Sequence, residues 1–205
     1  ADMMTGDGYG MAALTEDEAA HEGVLSPGDA LDCPAWLEGD LRAALGDDFE
    51  PVLNLLKSRA DVFLRVNPTH GTRDEAQAEL SRDGIECAPH ALADTALIVQ
   101  DGARRVHLSE AYKSGLVELQ DAASQAISAL IPMPEEGTLL EYCAGGGGKI
   151  LALAAREKGA RLRWFAHDAN PARMKDLPAR AARAGASIQL VSTDAVDRAA
   201  PFAQI

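Results

Sequence analysis

The residues whose types and spacing could do chemistry stand in the last third of the chain. Cys143-Ala144-Gly145-Gly146-Gly147-Gly148-Lys149 carries four consecutive glycines, Asp168 follows Gly148 by 20 positions, and Asp194 comes later. A glycine run lets a ligand lie against bare backbone. A carboxylate about 20 residues farther on has the spacing at which ribose hydroxyls are accepted. The dinucleotide fingerprint fails, because its third glycine would fall on Ile150. A Walker loop fails too, because Cys143 stands where it needs glycine and Ile150 where it needs Ser or Thr. A ligand with a ribose and an adenine but no phosphate fits better, and S-adenosyl-L-methionine is the common one. Backbone groups of the loop would hold its amino-acid end, Asp168 its ribose, and Asp194 the exocyclic amine of its adenine.

The elements that position these residues follow from periodicity and breakers. Thr138–Cys143 has a buried-strand pattern, Ala144–Gly148 forms a loop, Lys149–Lys158 is an Ala- and Leu-rich helix, and Arg161–Ala166 is the next strand. That order is the first crossover of a doubly wound parallel sheet. Ile188–Val191 adds a third strand, so Glu141, Asp168 and Asp194 all stand at strand ends.

Upstream, Trp36, Leu37, Leu41, Ala44 and Leu45 share one helical face closed by Gly46, and a second helix is expected over Phe49–Leu56. Val62–Val66, Ile85–Pro89, Ala96–Val99 and Arg105–Leu108 read as strands. Thr72–Asp83 reads as a helix with a capping-box start, and Glu118–Leu130 as another, ended by Pro132-Met133-Pro134. The expected organisation is a leader over 1–31 with little fixed structure, a helical segment with a small α+β subdomain over 32–130, and an α/β Rossmann-like parallel sheet, partial, over 131–205.

Composition sets limits. At 205 residues and 47% hydrophobic, the chain can bury a core, and no apolar run approaches the length of a membrane span. A cytoplasmic location is the expectation. The net charge of -13 is unevenly spread: residues 1–60 hold 13 acids and 3 bases, whereas residues 141–205 hold 6 acids and 10 bases. Acidity therefore does not exclude a nucleic-acid partner. Arg156, Lys158, Arg161, Arg163, Arg180 and Arg183 are candidate contacts, though solvated helix faces and strand edges are the plainer reading. Cys33, Cys87 and Cys143 are far apart, without a Cys-x-x-Cys pair, and the five histidines have no ligand spacing, so neither disulfide nor metal is expected.

At these residues the sequence resembles the RsmB/Sun family of S-adenosylmethionine-dependent RNA 5-methylcytosine methyltransferases. Cys143 to Lys149 stands in place of that family's Cys-Ala-Ala-Pro-Gly-Gly-Lys loop, and Gln120-Asp121-Ala122-Ala123-Ser124-Gln125 matches its Gln-Asp-x-x-Ser-Gln helix. Phe63-Leu64-Arg65-Val66-Asn67 resembles the opening of its small RNA-binding subdomain, and His167-Asp168-Ala169-Asn170-Pro171-Ala172-Arg173 its second cofactor motif. The similarity runs from about Trp36 to Asp194.

The resemblance implies a class I methyltransferase fold. Cys143, Ala144, Gly145, Gly146, Gly147, Gly148 and Lys149 would contact the methionine part of the cofactor, Asp168 its ribose and Asp194 its adenine, with Arg173 ordering the site. Arg65 and Asn67 would contact RNA, most naturally small-subunit ribosomal RNA. Gly145 and Gly146 depart from the usual Ala-Pro, and Glu141 stands where Asp is common, so a more flexible loop and weaker cofactor binding are expected.

The family attacks carbon 6 of cytosine with a cysteine thiolate and uses a second cysteine for release. Both lie after the third strand, beyond Ile205, so this chain is expected to lack catalytic residues and to be inactive by itself. A scaffold or RNA-binding module that retains the fold, and a methyltransferase for protein or small molecules, are the alternatives.

Overall fold

The computed structural model describes residues 12–20, 23, 26–157 and 161–194. Much of the expected leader, and Lys158, lie outside them. The chain falls into two units, Ala1–Ala60 and Asp61–Ile205.

In the first unit, α1 (Glu16–Ala19) and α2 (Pro27–Ala30) are single turns, opened by the capping boxes Thr15 with Glu18 and Ser26 with Asp29. Local capping thus gives the described part of the leader some structure, with Gly28 its buried helical residue. α3 (Ala35–Leu45) and α4 (Phe49–Leu56) take the expected limits. Their small core is Cys33, Phe49 and Leu53, packed by Leu31, Leu41 and Leu45. Trp36 was expected on this face but is 79% exposed. The inward stripe runs instead through Leu41 and Leu45, one turn apart.

The second unit holds two sheets. β1 (Val62–Val66) is antiparallel to its neighbours on both sides, and with β2 (Glu86–Pro89), β3 (Ala96–Asp101) and β4 (Val117–Leu119) it makes the order β2-β3-β1-β4. α5 (Arg73–Arg82) starts at the expected capping box, with Thr72 and Glu75 bonded reciprocally. α6 (Glu110–Lys113) follows β3. One face of the sheet buries Leu64, Val66, Leu97 and Val117 against Ala76, Leu80, Val106 and Ala111.

Two expectations are corrected in this region. Arg105–Leu108 lies in a 3₁₀ helix, Ala103–Leu108, because Gly102 at φ 79° turns the chain out of β3. The expected helix from Glu118 also begins later. Val117 and Leu119 face the core while Glu118 points the other way, a strand alternation, and the Asp121 carboxylate then caps α7 (Ala122–Leu130) by accepting from the amides of Ala123 and Ser124.

The parallel-sheet portion contains β5 (Glu136–Glu141), α8 (Gly148–Ala154), β6 (Arg161–Ala166), α9 (Leu177–Arg183) and β7 (Ile188–Leu190). The three strands are parallel in the order β5-β6-β7, the α/β arrangement expected. Ile150, Leu151, Trp164, Ala166, Met174 and Leu177 form the core beneath them. β5 ends two residues sooner than expected, because after Glu141 the backbone turns to bond Ala144 N to His167 O at 2.8 Å. Among the described residues no helix is long and apolar enough to cross a membrane.

Leu64 is fully buried, and Thr72 caps an otherwise solvated helix end. Leu64→Ala is expected to cost about 2–5 kcal/mol of unfolding free energy. Thr72→Ala is expected to cost about 1 kcal/mol. Urea unfolding of the two variants beside wild type checks both, and equal midpoints would contradict this account of the antiparallel core.

Candidate functional site

The glycine turn joins the carboxyl end of β5 to the start of α8, and each part of it has a physical reason. Gly145 (φ 50°) and Gly147 (φ 77°) have left-handed backbones that side chains disfavour. A Cβ at Gly147 would also lie 2.2 Å from Leu177 Cδ1, so the turn is packed directly on the start of α9. Gly147 N donates to Ala144 O at 2.8 Å and closes the turn. α8 lacks a side-chain cap of its own. Glu141 takes that role across the turn: its carboxylate accepts from Ile150 N at 3.1 Å. Burial raises its pKa, opposed by that amide and by Lys149.

Asp168 stands just past β6 and is buried, with 5% of its side chain exposed. Oδ2 accepts from Gly145 N at 2.9 Å, and Oδ1 accepts from Asn170 N at 2.9 Å. The Asn170 amide is the largest influence on the carboxyl and holds it below the ordinary aspartate value of 3.8. Burial opposes this, while the Gly145 amide, Arg173 and His167 add to it. Asp168 is therefore ionised at neutral pH and only accepts hydrogen bonds. Arg173 Nη1 lies 3.7 Å from Oδ2, on a side chain that is 67% exposed. Arg173 thus lies over the carboxylate and the Gly145 backbone from the solvent side.

The structure brings the expected residues together unequally. Gly145, Asp168 and Arg173 meet, and Ala144 is buried at the turn. Cys143 and Lys149 are exposed at its two ends. Asp194 is exposed beyond β7, and its neighbour Thr193 links it to the others. His167 makes that link and was missed in the sequence. Its Nδ1 is 2.7 Å from Tyr142 O and its Nε2 is 3.0 Å from Thr193 Oγ1, so one buried ring ties together the chain leaving all three strands.

Arg65 and Asn67, expected to face RNA, are corrected. They are 3% and 2% exposed. Arg65 Nη1 donates to Gly148 O at 2.7 Å, and Asn67 Nδ2 donates to Ala184 O at 3.1 Å. β1 alternates, so the face opposite its apolar core is turned onto the parallel-sheet portion instead of solvent. Much of the basic segment is likewise used internally. Arg156 bonds Ser128 O and Ile131 O, and Arg180 and Arg183 pair with Glu118. Arg161 and Arg163 remain at the surface, beside Glu136 and Thr138.

A cavity of about 370 Å³ lies at the opposite, amino-terminal end of the parallel strands, among Leu162, Trp164, Ala184 and Gln189. It is remote from Asp168 and plays no part in this site. Among the described residues no group of three or more His, Cys, Asp and Glu could hold a metal ion.

Comparison with known proteins places this geometry in context. A family model described as a methyltransferase RsmF/B-like, ferredoxin-like domain matches residues 33–106. Ribosomal RNA small subunit methyltransferase B of Vibrio cholerae is 32% identical over 163 residues, which cover 79% of this chain and 37% of the relative. The crystal structure of PH0851 superposes with a TM-score of 0.73 at 27% identity, over 83% of this chain and 40% of that one. The crystal structure of NSun6 from Pyrococcus horikoshii with SFG superposes with a TM-score of 0.67 over 78% of this chain and 65% of that one. At 13% identity it shares the fold. The chain thus spans well under half the length of the curated relative.

The depressed Asp168 carboxyl gives a signed expectation. A group whose folded pKa lies below its unfolded value contributes stability above the unfolded value and loses it as pH falls through the folded one. Glu141, shifted upward, contributes with the opposite sign and loses its share as pH rises through its raised value. The comparison that isolates Asp168 is therefore wild type against Asp168→Asn. Thermal midpoints should converge as pH falls below about 3.8 and separate above it, with wild type the more stable. A constant separation across that range would contradict the assigned role of the two amides.

Proposed function

The chain belongs to the RsmB/Sun family of methyltransferases, and from that footing we propose that it forms the cofactor-binding part of an enzyme methylating carbon 5 of a cytosine in small-subunit ribosomal RNA. The observation that carries this reading is the ionised, buried Asp168 bonded to the amide of the glycine turn.

The residues present fit S-adenosyl-L-methionine. Each Asp168 oxygen accepts one backbone N–H, and a carboxylate oxygen can accept two, so one acceptor site per oxygen remains for a pair of ribose hydroxyls. Arg173, exposed on a long side chain, would move aside or close over the sugar. Gly145 to Gly148 leave no side chains in the way of the amino-acid end, and Cys143, Ala144 and Lys149 flank it. Asp194, next to a threonine tethered by His167, would meet the adenine. When bound, the cofactor supplies a methyl group made electrophilic by its sulfonium.

Cytosine carbon 5 becomes nucleophilic only after a nucleophile adds at carbon 6. Cys33 and Cys87 are buried, and burial pushes the Cys87 thiol up to about 11, away from thiolate. Cys143 belongs to the turn at the cofactor's amino-acid end. We therefore assign the nucleophile to the larger part of the relatives' length that this chain does not match, and methyl transfer to the protein that contains it. A target base would have to be single-stranded or flipped out to reach the methyl group.

Calorimetric titration with S-adenosylhomocysteine tests the cofactor reading. Wild type should bind, and Asp168→Ala should weaken binding by roughly tenfold or more, about 1.4 kcal/mol. Absent binding, or equal affinity in the variant, would overturn the reading. For the full-length protein, a labelled methyl group should appear at carbon 5 of a cytosine in small-subunit ribosomal RNA, and label on another atom would overturn the reaction assignment.

A further inference from the structure

Two peptide carbonyls of the glycine turn are held by guanidinium groups rooted elsewhere. Arg180, from α9, donates through Nη1 to Gly146 O and through Nε to Glu118 Oε2 at 3.2 Å. Arg65, from β1, donates through Nη1 to Gly148 O at 2.7 Å and to Gln120 Oε1 at 2.5 Å. Arg183 completes the junction with a 2.7 Å bond to the same Glu118 oxygen, while its guanidinium lies 4.2 Å above the Tyr112 ring. Glu118 faces Arg65 across the β1–β4 ladder, and Gln120, two residues on, projects from the same side. The polar face of the antiparallel sheet is therefore the face that grips the turn.

We propose that Arg65 and Arg180, set by Gln120 and Glu118, are positioning residues through which the antiparallel sheet fixes the cofactor loop and raises its affinity for cofactor. The proposal rests on the reading of the glycine turn as the cofactor site. Four glycines in a row have more conformations to lose than the Ala-Pro variant of the loop, so an ordered loop needs external restraint. Charge-assisted bonds to half-buried carbonyls are a strong form of it. A trans peptide points its N–H opposite its C=O, so fixing Gly148 O also directs Lys149 N–H away from the antiparallel sheet.

The arrangement carries a cost. Among the described residues Arg65 Nε is a buried donor without a hydrogen-bond partner. Burial also lowers the Arg65 pKa to about 10, with Glu118 opposing and Arg180 adding to the shift. Holding a desolvated guanidinium at the turn is explained if the turn must be held.

Amide hydrogen exchange and calorimetry on the whole chain test this. Arg180→Lys keeps the charge, but a point-like ammonium cannot reproduce the two directed bonds to Glu118 and Gly146. Glu118→Gln is the second variant, should the first fail to fold, because it keeps shape while removing the negative charge that both arginines pair with. Amide exchange in the turn without ligand should accelerate roughly tenfold or more, and S-adenosylhomocysteine affinity should fall by a similar factor. Exchange in the centre of β1 and β3 should be unchanged, and Arg161→Ala should behave as wild type. A role confined to packing would move the unfolding midpoint and leave turn exchange and affinity alone, and that result would overturn the proposal. Faster exchange with unchanged affinity would overturn it too. If wild type bound no S-adenosylhomocysteine, the cofactor reading would fall and with it the affinity half of the proposal, while unliganded exchange would still decide whether the turn is braced.

Discussion

A turn of four glycines has no side chains with which to hold itself, so its geometry depends on what neighbouring elements do to its peptide groups. Here those groups are tied one by one: Gly145 N to Asp168, Gly147 N to Ala144 O, Gly146 O to Arg180 and Gly148 O to Arg65. The ties come from β6, from the turn itself, from α9 and from β1. The loop expected to be loose is thus held at four peptide groups, with Gly145 and Gly147 buried. The same charged groups join the antiparallel and parallel sheets, so the shape of the site and the cohesion of the unit rest on one set of bonds.

Residues that are only letters in a motif acquire separate duties in this light. Within Gln120 to Gln125, Gln120 holds Arg65, Asp121 caps α7, and Gln125 donates to Leu64 O while accepting from Thr95 Oγ1. The segment is a clasp between a strand, a helix and the turn beyond. Glu141 likewise replaces the missing cap of α8, which gives the carboxylate at this strand end a structural duty.

Features carried by local pattern were legible in the sequence. The β6 limits, the Thr72 capping box and the strand, glycine turn, helix, strand order all followed from periodicity and breakers, and Asp168 followed from its spacing. Features decided by contact between distant segments were not. Arg65 and Arg180 read as surface cations because cation type alone does not reveal burial, and their partners lie 55 and 62 positions away. The alternation of Val117, Glu118 and Leu119 could have identified β4, but the helix-forming run after it masked so short a strand. His167 read only as the first letter of the second cofactor motif, and its tying role gave no signal, because its two partners, Tyr142 O and Thr193 Oγ1, meet only when three strands align.

The internal use of arginine also changes how the basic end of the chain meets solution. Arg156, Arg180 and Arg183 spend their charge on carbonyls and on one carboxylate, so formal positive charge overstates the cations displayed outward. For the RNA substrate proposed here, the phosphate counterions displaced by this portion would be fewer than its formal charge suggests, with Lys149, Arg161, Arg163, Arg173 and Lys175 the cations still exposed among the described residues. The charge of Arg180 goes instead into the fixed pose of the glycine turn.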